Sequence, residues 1–141
     1  KDSATLHEYE KTLRYKFDFL PDSPILFISA LTGQRIHQVL ETAVRVWEGR
    51  HFRIPTADLN RIIRDSMLVH TPPIRGTRRL KILYASQVAV NPPVILFHVN
   101  DPRLVHFTYK RFLENQIRKV YPFEGTPMRM SFRPNDGGLK D

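Results

Sequence analysis

Eleven prolines divide this chain of 141 residues, and their positions limit where regular structure can form. Proline fixes its own φ and lacks a backbone N–H, so long helices and central strands must lie between prolines. The proline-free intervals longer than 15 residues are 1–20, 25–54, 56–71, 74–91 and 103–121. The longer elements of the fold are therefore expected within these intervals, with turns at the prolines that separate them.

The first 52 residues predict two helices around one short strand. Hydrophobic residues recur at helical spacing at Leu6, Tyr9, Leu13, Phe17 and Leu20, and again at Ile36, Val39, Leu40, Val44 and Trp47. The continuous apolar run Ile25–Ile28 is typical of a strand buried on both faces of a parallel sheet. One parallel strand cannot form a sheet alone, so this segment is expected to be the incomplete end of an α/β domain. We expect it to pack in a rearranged way, to swap between molecules or to aggregate, because its strand edge and apolar faces lack partners.

Residues 53–133 predict a second unit with the element order α-β-β-α-β. The elements are a helix from Thr56, strands over 80–90 and 94–99, a helix that begins at Asn100-Asp101-Pro102, and a strand over 128–133. This order gives a three-stranded sheet with two helices on one face, an α+β sandwich. The proline- and glycine-containing segment 70–79 is expected to be a loop, and the tail 134–141 to be disordered.

Positive charge is concentrated in the second unit. The formal net charge is +8; residues 56–141 carry fourteen Lys and Arg against seven Asp and Glu, whereas residues 1–55 carry eight against seven. This imbalance favours an anionic partner such as nucleic acid, and the alternative is a solvated surface with scattered charges. The candidate RNA-binding residues are Arg75, Arg78, Arg79, Lys81, Arg103, Lys110, Arg111, Arg118, Lys119, Arg129 and Arg133.

Other function classes find little support in the sequence. The absence of cysteine excludes disulfides, thiolate nucleophiles and Cys-ligated zinc, and it is typical of a cytoplasmic protein. No apolar run approaches the roughly 20 residues of a transmembrane helix, so no membrane partner is expected. The six histidines include no H-x-x-x-H pair and no nucleophile elbow occurs, so neither a metal site nor a hydrolase triad is predicted. Phe107, Tyr109 and Phe112 share a predicted helix and are expected in the core or at the surface rather than stacked on bases.

Several segments carry a resemblance to a known family. They are SALTGQRIHQVLE, LNRII, RLKILYASQVAVNPPVILFHVNDP and HFTYKRFLENQIRKVYPFEGTPMRM. From about Asp2 to Phe132, the chain resembles the C-terminal end of the bacterial double-GTPase family Der, also called EngA. Members have two G domains followed by a KH-like domain, and they act in assembly of the large ribosomal subunit. The resemblance implies that residues 1–52 are the end of the second G domain and that residues 53–133 are KH-like. It also implies ribosomal RNA, the large ribosomal subunit and the upstream G domains as partners.

The resemblance further implies part of a guanine-binding site. Ser29, Ala30 and Leu31 would form the loop that presents backbone N–H groups to guanine, at the end of a strand where ligands of such sheets bind. The sequence has no G-x-x-x-x-G-K-[ST] phosphate loop and no Asn-Lys-x-Asp motif, which the family would place upstream of Lys1. GTP and magnesium are therefore cofactors of the parent family. No cofactor, metal, catalytic residue or GTP hydrolysis is expected from this chain alone.

One departure from KH domains bears on RNA recognition. A KH domain clamps the RNA backbone with a G-x-x-G loop, but no two of the six glycines here are three residues apart. RNA contact is therefore expected to depend on charge and shape. The alternative is a regulatory module whose loop 71–79 contacts a G domain and alters GTP turnover, with RNA contact incidental. An independent enzyme is disfavoured, because no catalytic constellation is present.

Overall fold

The computed structural model describes residues 3–136, which form four α-helices, five strands and one 3-10 helix. The helices are α1 (Ser3–Lys16), α2 (His37–Arg50), α3 (Thr56–Val69) and α4 (Phe107–Val120), with the 3-10 helix at Pro102–Leu104. The strands are β1 (Ile74–Arg75), β2 (Arg78–Arg79), β3 (Ile82–Ala89), β4 (Val94–Val99) and β5 (Arg129–Pro134).

A three-stranded sheet and two helices enclose the core. β3 pairs antiparallel with β4, and β4 pairs parallel with β5, so that β4 is central. α3 and α4 pack against each other and against one face of the sheet. Fully buried side chains from both layers meet there, among them Leu59, Ile63, Ile95, Phe97, Leu113 and Ile117. The predicted α+β class is confirmed, and the three-stranded sheet with its two helices has the predicted α-β-β-α-β order.

The two faces of the sheet differ because side chains alternate along each strand. Ala85, Phe97 and Met130 lie on the helix side and are buried. The side chains between such positions lie on the opposite face, which we call the open face, and they are half-buried or exposed. The open face consists of Tyr84, Ser86 and Val88 from β3, Val94, Leu96 and His98 from β4, and Arg129, Ser131 and Arg133 from β5.

Side chains cover the outer edge of β3. Asn60 of α3 donates from Nδ2 to the carbonyl oxygen of Ala85 at 2.8 Å, and its Oδ1 accepts from the N–H of Ala85 at 2.8 Å. Arg53 donates to the carbonyl oxygen of Gln87 at 2.7 Å. These contacts satisfy backbone groups that would otherwise be open to a strand from another molecule.

The segment before α3 differs from its prediction. Ile25–Ile28 belongs to no strand, because no partner strand pairs with it within residues 3–136. The prediction of a strand there is wrong, and residues 3–52 form a helix, an irregular connection and a second helix. No residue of α1 is buried, and α2 buries only Thr42. Apolar side chains such as Leu40 and Trp47 are exposed.

Residues 3–52 are attached to the sandwich through the connection between α4 and β5. The N–H of Gly125 donates to the carbonyl oxygen of Asp22 at 2.7 Å. Arg45 of α2 forms a two-point ion pair with Glu124, at 2.6 and 3.2 Å. The two parts therefore contact each other within one chain. Domain swapping or aggregation through the exposed apolar faces stays a prediction.

Three further differences concern the second unit. The predicted loop 70–79 contains the β1–β2 hairpin, and the helix expected from Pro102 begins as a 3-10 turn before α4 starts at Phe107. The tail is partly ordered, because β5 extends to Pro134 and the N–H of Asn135 donates to Val99 at 2.9 Å. The predicted disorder of residues 137–141 lies outside the described residues. Between residues 3 and 136, no helix has the length and apolar character to cross a membrane.

Candidate nucleic-acid interface

A basic β-hairpin lies at one end of the sheet. In β1 and β2, Arg75 pairs with Arg78 across a turn that contains Gly76, whose φ of 64° places it in the left-handed region. Asn100, just after β4, fixes the base of the hairpin. Its Nδ2 donates to the carbonyl oxygen of Arg79 at 2.9 Å, and its Oδ1 accepts from the N–H of Lys81 at 2.8 Å.

Asp101 orients two arginines beside this hairpin. Its carboxylate accepts hydrogen bonds from Arg103 Nε and Nη2 at 3.0 and 2.9 Å, from the Arg103 N–H at 3.0 Å, and from Arg78 Nη1 at 2.9 Å. The hydrogen bonds from Arg103, together with the charges of Arg103 and Arg78, lower the pKa of Asp101 to about 2. The Arg78 and Arg103 side chains are nevertheless 56% and 84% exposed, so both guanidinium groups can contact a ligand.

Six of the predicted RNA-binding residues meet at this end of the molecule. Arg75 donates to the carbonyl oxygen of Arg103 at 2.9 Å, which joins the hairpin to the 3-10 helix. In the β4–β5 register, Arg133 lies opposite His98. This position is near the end of β4, and Asn100 follows directly after that end. All six side chains belong to exposed residues. We call this set the hairpin-end cluster, and its members are Arg75, Arg78, Arg79, Lys81, Arg103 and Arg133.

The remaining candidates lie elsewhere. Arg129 is on the open face at the other end of β5, where it pairs with Val94. Lys110, Arg111 and Lys119 are exposed residues of α4. These four positions therefore lie outside the hairpin-end cluster.

Arg118 is engaged with other groups of the protein. Its side chain is 10% exposed and forms ion pairs with Asp22 at 3.2 Å and Glu114 at 3.1 Å. It also donates to the carbonyl oxygens of Pro122, Phe123 and Thr126, at 2.9, 3.2 and 2.9 Å respectively. Arg118 is therefore a structural residue that is not free to contact a phosphate, which corrects its assignment to the RNA surface.

The three guanine-binding candidates form a tight turn. Ser29 Oγ accepts from the N–H of Thr32 at 3.3 Å, and the Ser29 N–H donates to Gln34 at 3.0 Å. Ala30 and Leu31 are exposed, the latter by 96%. Ser29 lines an open groove of about 530 Å³ between α1 and the irregular connection, together with Leu6, Tyr9, Leu26, Phe27, Ile28, Gln34 and Arg35.

These residues do not fit GTP with magnesium. The turn offers backbone groups to a base, but the sequence contains no phosphate-binding loop to hold the triphosphate. Residues 3–136 also contain no group of three or more His, Asp or Glu side chains arranged to hold a metal ion.

Sequence reasoning missed two features of the interface. The sequence of Asn100 and Asp101 predicts only the start of a helix, yet these residues hold the hairpin and its arginines in place. Tyr84 and His98 pair across β3 and β4 with ring centroids 4.1 Å apart and ring planes 12° apart. The sequence contains no signal for this pairing, because Tyr84 follows Ile82 at two-residue spacing and reaches the open face only through the register shift between them.

Comparisons with known proteins agree with the resemblance in the sequence. A family model described as the KH-domain-like C-terminal domain of EngA bacterial GTPase enzymes matches residues 53–133. The chain is 47% identical over 133 residues to the GTPase Der of Thermoanaerobacter pseudethanolicus. This alignment covers 94% of the chain and 30% of that protein. It is 50% identical over 131 residues to GTPase Der of Caldanaerobacter subterraneus, and that alignment covers 93% of the chain and 30% of the relative. The chain thus spans about a third of the length of these relatives.

Proposed function

This chain belongs to the family of KH-domain-like C-terminal domains of EngA bacterial GTPases, and on that premise we propose that it contacts ribosomal RNA. In the proposal, the chain is the C-terminal module of a Der-like GTPase that acts in assembly of the large ribosomal subunit. The GTP-binding and magnesium-binding groups would belong to upstream G domains of the same protein. The chain itself would supply the RNA contact.

The hairpin-end cluster is the observation that carries this proposal. It brings six cationic side chains to one end of the sheet, with Asp101 as the carboxylate that orients two of them. Exposed arginines that are held in place can donate two hydrogen bonds to one phosphate, and each neutralised phosphate releases counterions. Backbone contact of this kind does not require the missing G-x-x-G loop. It would follow the shape of folded RNA rather than a specific base sequence.

Charge reversal within the hairpin-end cluster tests the proposal. We expect the triple variant Arg75→Glu, Arg78→Glu, Arg79→Glu to bind large-subunit ribosomal RNA at least tenfold more weakly than the unmodified chain at about 0.1 M salt. The matched control is Lys11→Glu, Lys16→Glu, Arg64→Glu, which changes the net charge equally at three exposed positions of α1 and α3. The control separates a local contact from a general effect of net charge. Equal weakening in both triple variants would contradict the proposed interface.

A second candidate function is supported by the contacts between the two parts of the chain. Arg118 and Gly125 connect Asp22 to the α4–β5 connection, so movement in residues 3–52 would be transmitted to the sandwich. In this alternative, the sandwich regulates GTP turnover by the G domains, and RNA contact is incidental. It predicts that deletion of residues 53–133 from the full-length protein changes the GTPase rate without RNA. An unchanged rate would contradict the regulatory alternative.

A further inference from the structure

Three planar side chains form a row across the open face. The β3–β4 register pairs Tyr84 with His98, and the β4–β5 register pairs His98 with Arg133. The Tyr84 and His98 rings are stacked, with centroids 4.1 Å apart and planes inclined by 12°. The phenol, imidazole and guanidinium groups therefore occupy neighbouring positions on three adjacent strands. Aromatic rings and guanidinium planes are the groups on which unpaired RNA bases stack.

The row is accessible to a ligand. Tyr84 is 45% exposed, although a tyrosine that serves only to pack the core is usually covered. Phe97 and Phe132 show the contrast, because their stacked rings belong to the helix side of the same sheet and pack in or against the core. The aromatic pair, in which Tyr84 is exposed and His98 is half-buried, is therefore not explained by the packing of the sandwich.

The charge of the open face favours an anionic partner such as a nucleic acid over a basic or neutral one. None of its nine side chains is acidic, and β5 contributes Arg133 at one end and Arg129 about 13 Å away at the other. Ser86 and Ser131 lie between these ends and can donate or accept hydrogen bonds at base edges. Arg133 also belongs to the hairpin-end cluster, so the open face is continuous with the proposed RNA-binding surface.

We propose that the open face binds single-stranded RNA, with bases stacked on the Tyr84–His98 pair and with Arg133 and Arg129 in contact with phosphates. The inference deepens the proposed function and rests on it, since it assigns to the same module a distinct surface for unpaired nucleotides. The hairpin-end cluster would hold the RNA backbone by charge. The open face would select single-stranded over double-stranded segments, because the bases of a duplex are stacked on one another.

Fluorescence anisotropy with three labelled probes tests this inference. The probes are a 12-nucleotide single-stranded RNA of mixed sequence, the corresponding 12-base-pair duplex, and an abasic 12-mer with the same phosphates. We expect Tyr84→Ala to weaken binding of the single strand about 5- to 100-fold, the loss of one stacked base. Its binding of the duplex and the abasic strand should stay within about twofold of the unmodified chain.

Matched variants separate stacking from folding and charge. Tyr84→Phe keeps the ring and should bind the single strand as the unmodified chain does. Tyr15→Ala removes a tyrosine that is 86% exposed on α1, and it should have no effect. Ser131→Glu places a negative charge on the open face without removing an aromatic ring, and it should weaken single-strand binding, whereas Ser131→Lys should not.

Two results would overturn the inference in distinguishable ways. If Tyr84→Ala and Ser131→Glu bind the single strand normally while the triple hairpin variant does not, the module contacts RNA but the open face does not, and another partner must account for its aromatic pair. If no probe and no ribosomal RNA binds the unmodified chain at low salt, the proposed function and the inference both fail.

Discussion

Arg118 Nη2 lies 3.2 Å from a carboxylate oxygen of Asp22, and this ion pair links the sandwich to the segment that precedes it. The same guanidinium group pairs with Glu114 and donates to three backbone carbonyl oxygens of the α4–β5 connection. A single side chain thus fixes a loop, a helix and the N-terminal segment relative to one another. Its position predicts a role in stability rather than in RNA binding.

Replacing Arg118 with alanine should lower the free energy of unfolding by about 2 kcal/mol. The variant removes the donor to two carboxylates and three carbonyl oxygens. A hydrogen bond to a charged group contributes about 1.5–3 kcal/mol net, and the partly exposed carboxylates of Asp22 and Glu114 regain water in the variant. Urea denaturation measures the change. Arg111→Ala, at an exposed position of the same helix, is the control and should shift stability by less than about 0.5 kcal/mol. Equal stability of the two variants would contradict the assigned role of Arg118.

Gly125→Ala should destabilise the chain more than Gly76→Ala. Both glycines have a positive φ, of 66° and 64°, so alanine is strained at either position by about 1–2 kcal/mol. Only at Gly125 would the new methyl group also meet neighbours, at 3.1 Å from Val46 and 3.2 Å from Pro24. We expect a further loss of about 1 kcal/mol in urea denaturation from this crowding. Similar losses at both glycines would show that the N-terminal segment does not press on this loop in solution.

Asn60→Ala should expose the edge of β3. It removes both hydrogen bonds to the backbone of Ala85 and should cost about 1–3 kcal/mol in unfolding free energy. Hydrogen exchange of the Ala85 amide should accelerate in the variant. Asn115→Ala changes the same residue type at an exposed position of α4 and should leave that exchange rate unchanged. Unaltered protection of the Ala85 amide in Asn60→Ala would mean that other groups cover this edge.

The lowered pKa of Asp101 predicts how its contribution to the free energy of unfolding depends on pH. Its pKa is lowered from 3.8 to about 2 in the folded chain, so the carboxylate stabilises the fold fully above about pH 4. That contribution is lost as the pH falls through about 2, because the protonated acid no longer pairs with Arg103 and Arg78. The difference in unfolding free energy between the unmodified chain and Asp101→Asn should therefore be constant above pH 4 and shrink from pH 4 to 2. A constant difference down to pH 2 would exclude the ion pairs in solution.

Much of the second unit was predictable because the helical spacing in α3 and α4 and the alternation in β5 coincide with burial in the core. Strict alternation predicts β5, the run 94–99 predicts β4, and helical spacing predicts α3 and α4. Two-residue spacing predicts β3 but not its faces, since Tyr84 and Val88 are exposed and Gln87 is buried. The local sequence predicts the structure less well where contacts with distant residues determine the conformation. The two-residue strands of the hairpin depend on Asn100, which lies about twenty positions later in the sequence than the residues it holds.

The strand predicted at Ile25–Ile28 shows why an apolar run alone is insufficient. A strand forms only where a partner supplies hydrogen bonds, and within residues 3–136 none lies beside this run. The misassignment of Arg118 has a related cause. An arginine on a helix has the same local signature whether it is exposed or paired, and its acceptors at Asp22 and Thr126 are distant in the sequence or follow the end of the helix. The count of positive residues therefore included at least one arginine that is not free to contact a phosphate.

The most direct test of the central claim is the salt dependence of ribosomal RNA binding. Affinity is measured from about 0.05 to 0.3 M salt for the unmodified chain, for Arg75→Ala with Arg79→Ala, and for the control Lys11→Ala with Lys16→Ala. Contact by the hairpin-end cluster predicts a steep linear fall of log affinity with log salt, with a slope reduced by about 1–2 in the hairpin variant and unchanged in the control. The same slope and affinity in all three proteins would contradict contact between this cluster and the RNA backbone.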